Sequence, residues 1–334
     1  MTKTNASRRF ARWTASVALA AIIGFAAKAP ASADTFPSKP IRFVVGFSAG
    51  SSVDTVARIV AEGLRTKYNW NVVVDNRTGA NGQIAASDLQ SAQPDGYTML
   101  ISNSSTITVN PLIYKKLNYD ASQFVPVTAV VAVPFILTYN PQNTRLAGVK
   151  TLADLIDRAR QKPDELMYGS AGNGNLIHLA SALLCTSAKV QMRHVPYRGA
   201  APMQTAILGR EIDISFDTTS AVPLIKSGNL NALAISAAER WPDLPDVPTV
   251  AEQGYPGYDV SFWVGAFLPP KTPANIVETF SKAFKAVVED PKMHTLLSQQ
   301  GRIMALTSGQ FAEKIKTEME RNEMIVRDAK IQVE

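Results

Sequence analysis

Ile41-Arg42-Phe43-Val44-Val45-Gly46-Phe47-Ser48-Ala49-Gly50-Ser51-Ser52-Val53-Asp54 reads in turn as a strand, a small-residue loop and the start of a helix. Ile41–Val45 is a short β-rich run. Val53, Val56, Ala57, Val60 and Leu64 then recur at helical spacing, so one apolar stripe faces a core. The same succession repeats along the chain. Strands are expected at 71–74, 98–102, 166–168, 193–195, 212–216 and 230–235, with helices at 152–159, 176–184 and 203–208 between them. Pro94-Asp95-Gly96 introduces the 98–102 strand with a turn, since Pro presets φ and Gly accepts a positive one. Alternation of this kind is the signature of an α/β fold with mostly parallel sheets.

Two apolar runs interrupt the series. Val125–Tyr139, broken by Pro126 and Pro134, is too long for one strand and reads as a crossing between lobes; Tyr258–Leu268 reads as the return. The tail is helical, with Ile276, Phe280, Ala283, Phe284, Val287 and Val288 on one face and Phe311, Ile315 and Met319 on another. Two lobes joined by two crossings make the first one discontinuous. The division expected is 34–134 with 258–334 for lobe 1, and 135–257 for lobe 2. Ligands of such folds bind between the lobes, where strand C-termini and helix N-termini converge.

Charge at first suggests a different partner. The 334 residues carry 34 Lys and Arg against 28 Asp and Glu, a formal +6 that invites nucleic acid or an anionic surface. However, Lys3, Arg8, Arg9, Arg12 and Lys28 all lie in the first 33 residues, which hold no acid. The basic start, the apolar run Trp13–Ala27 and Ala31-Ser32-Ala33 together make a secretory signal peptide cleaved after Ala33. That run is too short to span a bilayer of about 30 Å. Ser7-Arg8-Arg9-Phe10 also hints at a twin-arginine export signal. The remaining chain has 29 basic and 28 acidic side chains, which removes the case for nucleic acid. A soluble exported protein is expected. Cys185 is the single cysteine, so no internal disulfide forms; on an apolar helix it reads as a buried structural thiol. His178, His194 and His294 are scattered, with no metal-ligand spacing, and neither a metal nor a cofactor is expected.

Three loops lie between a strand and a helix N-terminus: 46–54, Gly169–Asn175 and Asp217–Ser220. Small residues expose backbone N–H groups, and a helix N-terminus carries about half a positive charge, so both features favour an anion. The first two loops fall in opposite lobes. They suit a molecule with a carboxylate at each end, or one carboxylate clamped from both sides. Asp54 either caps its helix or reaches the ligand. His178, on the first turn after Gly174, either faces the cleft or is a structural helix histidine. Arg77 and Arg198 are loop cations, and Asn103, Ser104, Ser105 and Thr106 are short polar groups at the cleft rim. Gly46-x-Ser48-x-Gly50 also matches a hydrolase nucleophile elbow, although it follows the first strand and no oxyanion segment precedes it. Gly172-x-Gly174 lacks the rest of a nucleotide-binding fingerprint.

Several ordered segments carry a resemblance over nearly the whole chain after residue 33. They are Phe36–Ile41, Val73–Gly82, Pro94–Thr98, Tyr168–Gly174, His194–Gly199, Leu244–Glu252 and Gly254. Together they resemble the Bug-type periplasmic solute-binding receptors of tripartite tricarboxylate transport systems. The resemblance implies a two-lobed type II periplasmic-binding-protein fold that closes on a small carboxylate, with a dicarboxylate and an aromatic acid as the candidates, possesses no enzymatic activity, acts as a monomer in the periplasm and delivers its ligand to membrane transporter subunits. It implies ligand contacts from Phe47, Ser48, Ala49, Gly50 and Ser51, from Asn81 and Gly82, from Ser104, from Ser170, Ala171, Gly172, Asn173 and Gly174, and from Asp217. The sequence departs from the family pattern at Gly46, Ser51, Asn81, Asn173 and Asn175, which leaves the ligand unnamed. A ligand sensor feeding a signalling receptor would share the same binding chemistry, and an exported serine hydrolase using Ser48 is the enzymatic alternative.

Overall fold

A computed structural model describes residues 36–328, so the signal-peptide reading lies outside the described residues. Among the described residues, eleven strands form two sheets. The first sheet holds β1 (Ile41–Val45), β2 (Val72–Asn76), β3 (Thr98–Asn103), β4 (Val125–Pro134), β10 (Ser261–Leu268) and β11 (Arg302–Ile303). The second holds β5 (Ile136–Tyr139), β6 (Met167–Ser170), β7 (Arg193–Pro196), β8 (Ile214–Asp217) and β9 (Asn231–Ile235).

The two sheets share a plan. In the first, β2, β1 and β3 run parallel in that spatial order, and β10 joins antiparallel to β3. In the second, β7, β6 and β8 run parallel in that order, and β5 joins antiparallel to β8. Helix α1 (Ser52–Tyr68) and helix α2 (Gln83–Gln90) follow β1 and β2; α3 (Leu152–Gln161) precedes β6, and α4 (Leu176–Ala188) and α5 (Ala200–Leu208) follow β6 and β7. The parallel strands of each sheet therefore end in loops at one edge.

Packing explains why these elements hold. Ser51 caps α1 by accepting the Asp54 N–H at 3.3 Å, and Asn69 ends it in the left-handed region at φ 56°. Arg42 on β1 forks onto both oxygens of Asp88 at 2.8 and 2.7 Å, which fastens α2 to the sheet. Val44, Leu89, Leu100, Tyr119, Phe124, Trp263 and Phe267 form one buried cluster with Phe311 of the last helix, α8 (Ser308–Asp328). Phe311 meets Trp263 edge-on at 4.8 Å. Gly265 makes this possible, because a Cβ there would stand 2.5 Å from the Phe311 ring.

The two long apolar runs, read as crossings, also contribute strands of their own. Val125–Tyr139 is two strands of different sheets that abut at Phe135, and 261–268 is a full strand of the first sheet. Continuous apolar sequence arises because both faces of these central strands are covered. The tail holds an additional helix, α7 (Pro291–Ser298), between α6 (Ala274–Val288) and α8; Asp290 caps it through Lys292 N and Met293 N, with Pro291 as its first residue. Cys185 is half-buried rather than fully enclosed, and its apolar surroundings push the thiol up to about 12, so it is protonated at neutral pH.

Ser236 ties the two passages between the sheets. Its hydroxyl accepts the Phe135 N–H at 2.8 Å and donates to Val260 O at 2.5 Å. Its own N–H donates to Phe135 O, and its carbonyl accepts from Val260 N, both at 2.9 Å. The rings of Phe135 and Phe262 meet at 5.4 Å, tilted by 36°.

Candidate functional site

The loops after β1, β2, β3, β6, β7 and β8 follow the C-terminal ends of their strands. In the first loop Ser48, Ala49 and Gly50 are exposed, and Ser51 N turns back onto Ser48 O at 3.1 Å. Asp54 is 2% exposed and committed within its own loop. Its carboxylate accepts from Gly50 N at 2.9 Å, Arg58 Nε at 2.9 Å and Asn76 Nδ2 at 2.9 Å. Burial alone would raise its pKa, but those three bonds outweigh it and hold the carboxyl below its ordinary range. Asp54 therefore shapes the loop. Asn76 Nδ2 also holds Phe47 O at 3.0 Å.

The loop after β2 is held in an unusual conformation. Ala80, Asn81 and Gly82 all have positive φ. Gly82 sits at φ 84°, and a Cβ on it would lie 2.3 Å from Thr106 Oγ1. Gly82 also underlies the first loop, since a Cβ on Gly46 would fall 2.8 Å from its Cα. Asn81 O accepts from Thr106 Oγ1 and from Asn110 Nδ2, each at 3.1 Å, and Asn81 Nδ2 donates to Asn110 Oδ1 at 2.7 Å. Asn110 is anchored in turn by Tyr119 Oη at 3.0 Å.

β3 ends in a wide π-type helical turn, Ser105–Val109, a feature enriched at functional sites. Just before it, Asn103 Oδ1 and Ser104 Oγ are buried with no hydrogen-bond partner among the described residues. Such orphaned groups call for an explanation, and an incoming polar group supplies one. The turn is braced by α8: Thr108 Oγ1 lies 2.9 Å from Ser104 O and 3.1 Å from the buried Glu318 Oε1, whose other oxygen accepts from Trp263 Nε1 at 3.0 Å.

In the second sheet, the loop after β6 turns on Gly172 (φ 140°) and Gly174 (φ 67°). Ser170 Oγ accepts Gly172 N at 3.2 Å and lies 2.6 Å from His194 Nε2; Gly174 N donates to His178 Nδ1 at 3.1 Å. Asn175 caps α4 through Ile177 N at 2.7 Å. Asp217, at the end of β8, is fully buried and accepts from Gln204 Nε2 at 3.0 Å and Thr218 N at 2.8 Å. Burial pushes its pKa up to about 6, against the pull of those two bonds.

The two sets of loops touch. Ser105 Oγ accepts the Leu176 N–H at 3.3 Å, and Asn175 Nδ2 reaches Asn81 Oδ1 at 3.5 Å. Gly46 packs on Gly82, and Asn81 beside it reaches Asn175, so the loop after β2 touches both the first and the second glycine loop. In these two glycine loops the amides of Ser48, Ala49, Ala171 and Asn173 have no hydrogen-bond partner among the described residues. No Lys or Arg stands in either loop. An anion placed there would be held by oriented N–H groups rather than by a side-chain cation. A separate open groove of about 490 Å³ lies behind the first loop, lined by Ala49, Gly50, Arg58, Ile59, Met293 and Leu296.

Asn110, Tyr119 and His194 escaped the sequence reading as site components because each acts through a partner distant in sequence. His178 and His194, read as scattered, stack at 3.8 Å. Ser48 Oγ bonds to no histidine among the described residues, and both of these histidines are engaged by the second loop.

Comparison with known proteins places this geometry among relatives. Residues 56–331 match the family model described as the tripartite tricarboxylate transporter family receptor. A protein from the tcbD–tcbE intergenic region of Pseudomonas sp. strain P51 is 36% identical over 297 residues, covering 88% of this chain and 87% of that protein. The solved structure of R. palustris Rpa4515 with adipate superposes with a TM-score of 0.84 at 32% identity, over 89% of this chain and 99% of that one. MatC from Rhodopseudomonas palustris with bound malate gives 0.79 at 29%, over 87% and 100%.

Proposed function

The chain belongs to the tripartite tricarboxylate transporter receptor family, and we propose that it captures a small dicarboxylate outside the cytoplasm and delivers it to membrane subunits of such a transporter. The observation that carries this reading is the set of unpaired amides on two glycine loops that follow strands of different sheets and are linked through the loop after β2. A carboxylate satisfies such amides with charge-assisted hydrogen bonds, which are about twice as strong as neutral ones. A loop on each side can hold one carboxylate each, with Ser104, Asn103 and the Asp217 end of β8 bordering the space between. The adipate and malate of the structural relatives belong to this chemical class.

The contacts proposed are Phe47–Ser51, Asn81, Gly82, Ser104, Ser170–Gly174 and Asp217, with Asp54 and His178 shaping the two loops. The lobes proposed are 34–134 with 258–334, and 135–257; the change of sheet after Pro134 and the return at Ser261 support those limits. Closure about the two passages bound by Ser236 brings the loops together, and the ligand's contacts with both lobes favour the closed state over the open one. The protein works as a monomer after removal of residues 1–33 and performs no chemistry on what it binds.

A thermal-shift screen over mono-, di- and tricarboxylates tests the reading. A ligand with a Kd of about 1 μM present at about 100 μM stabilises the protein by about 2.7 kcal/mol. Absence of any shift across the panel refutes the proposal.

A further inference from the structure

We propose that His178 and His194 are positioning residues for capture: stacked as neutral rings, they hold the second glycine loop in the shape that presents its open amides, and protonating them releases it. The inference rests on that loop being half of the carboxylate site.

The two histidines are 16 positions apart in sequence, one on the first turn of α4 and one on β7. Their rings stack at 3.8 Å and 15°. Tyr168, the register partner of His194 on β6, closes the stack at 5.1 Å. Each ring grips the loop at a different point. His178 Nδ1 accepts the Gly174 N–H at 3.1 Å, so its proton resides on Nε2. His194 Nε2 meets Ser170 Oγ at 2.6 Å, and that hydroxyl in turn holds Gly172 N at 3.2 Å and lies 3.0 Å from Gly172 O. The stack thus fixes the loop on both sides of Asn173, and the amides of Ala171 and Asn173 are left free of partners. A protonated His178 has no lone pair for Gly174 N.

The surroundings favour the neutral forms. Burial pushes His178 down to about 4, and burial together with the neighbouring His178 pushes His194 down to about 3. Tyr168 and Cys185, the other titratable groups packed at this face, are both raised by burial and uncharged at neutral pH. Asp217, at the end of β8, is engaged with Gln204 and Thr218, and among the described residues no carboxylate pairs with either ring. The sign follows. Below the free-imidazole pKa of about 6.5, an unfolded or released loop takes up protons that the stacked pair refuses, so acid progressively favours release.

Calorimetric titration with adipate and with malate, from pH 7.5 downward, reads the proposal. His178→Leu and His194→Leu, checked for folding by circular dichroism, are expected to weaken capture about five- to tenfold at neutral pH, the loss of about one loop hydrogen bond. His178→Asn supplies an acceptor near the place of Nδ1, and His194→Gln an amide near Nε2, so these two bind more tightly than the leucine variants. The Asn/Gln double variant also loses affinity less steeply with acid than the parent, which separates the pair from protonation of the ligand itself. Folded leucine variants that bind like the parent overturn the positioning role, and parallel pH profiles overturn the release. If the parent binds neither probe, the carboxylate reading fails, and ¹⁵N NMR of the unliganded protein decides this inference separately. The Gly172 and Gly174 amides must shift in step with the His178 and His194 rings. Amides indifferent to that titration refute it, and the same measurement applies if a leucine variant does not fold.

Discussion

Ser236→Ala removes a single hydroxyl at the place where both passages between the lobes meet. Ser236 is 0% exposed, and Phe135 and Val260 on either side are 2% and 4% exposed, so water has no ready route to the groups it serves. Alanine keeps the two backbone bonds of residue 236 to Phe135 O and Val260 N. It leaves Phe135 N and Val260 O without their partner. Each buried backbone group stranded in this way costs about 1–3 kcal/mol, so the change should destabilise the protein by about 2–6 kcal/mol. Urea unfolding monitored by tryptophan fluorescence, with the slope of the transition checked for constancy, measures it directly. At this chain length the melting temperature should fall by several degrees. Ser227→Ala, whose hydroxyl is exposed and bonds only locally to Leu224 O and Asn229, should change stability by less than about 0.5 kcal/mol. A loss below about 1 kcal/mol for Ser236→Ala, with unchanged slope, would refute the reasoning that this hydroxyl fastens both passages.

Gly82→Ala forces a side chain into the left-handed region and against Thr106 Oγ1; it should destabilise by about 2–4 kcal/mol and weaken ligand binding, and a variant of parental stability and affinity contradicts the tight placement. Ser104→Ala deletes a buried hydroxyl that bonds to nothing in the described chain, so stability should change by less than about 1 kcal/mol while dicarboxylate affinity falls about fivefold or more. Calorimetry and thermal melting together check that split; equal affinity would remove Ser104 from the contacts. Asp217 has a folded pKa raised from 3.8 to about 6, so in the unliganded protein it withdraws stability as pH rises between those values. Asp217→Asn should therefore stabilise the protein by up to about 3 kcal/mol at pH 7.5, and by little at pH 4. Melting curves at the two pH values test this, and a gain that is larger in acid reverses the sign.

The parts of this protein that were legible in its sequence are those whose signal is local. The strand–loop–helix unit at 41–64 carries its own periodicity, its glycines and its serine cap, and it folds as that pattern dictates. The second loop behaves alike, with Asn175 capping α4 just after Gly174. The boundary at Phe135 was not legible as a strand junction, because β4 and β5 are both covered on each face and present one unbroken apolar run. Helix α7 left a signal in Asp290-Pro291 that the apolar periodicity on either side obscured. The polar supports of the site were hidden for a different reason. Asn110 reaches Asn81 across 29 positions, Glu318 reaches Thr108 across 210, and His194 meets His178 only when β7 is laid beside β6. No periodicity encodes such pairs; the resemblance to a known family did include His194-Val195-Pro196-Tyr197, without a role for the ring.

Amide hydrogen exchange at residue resolution, with and without a bound dicarboxylate, tests most directly that oriented backbone in two loops captures the ligand. The account predicts slowed exchange at Ser48 and Ala49 in the first loop and at Ala171 and Asn173 in the second, all in the same complex. Protection confined to one loop, or found instead along the groove at Met293 and Leu296, would contradict it.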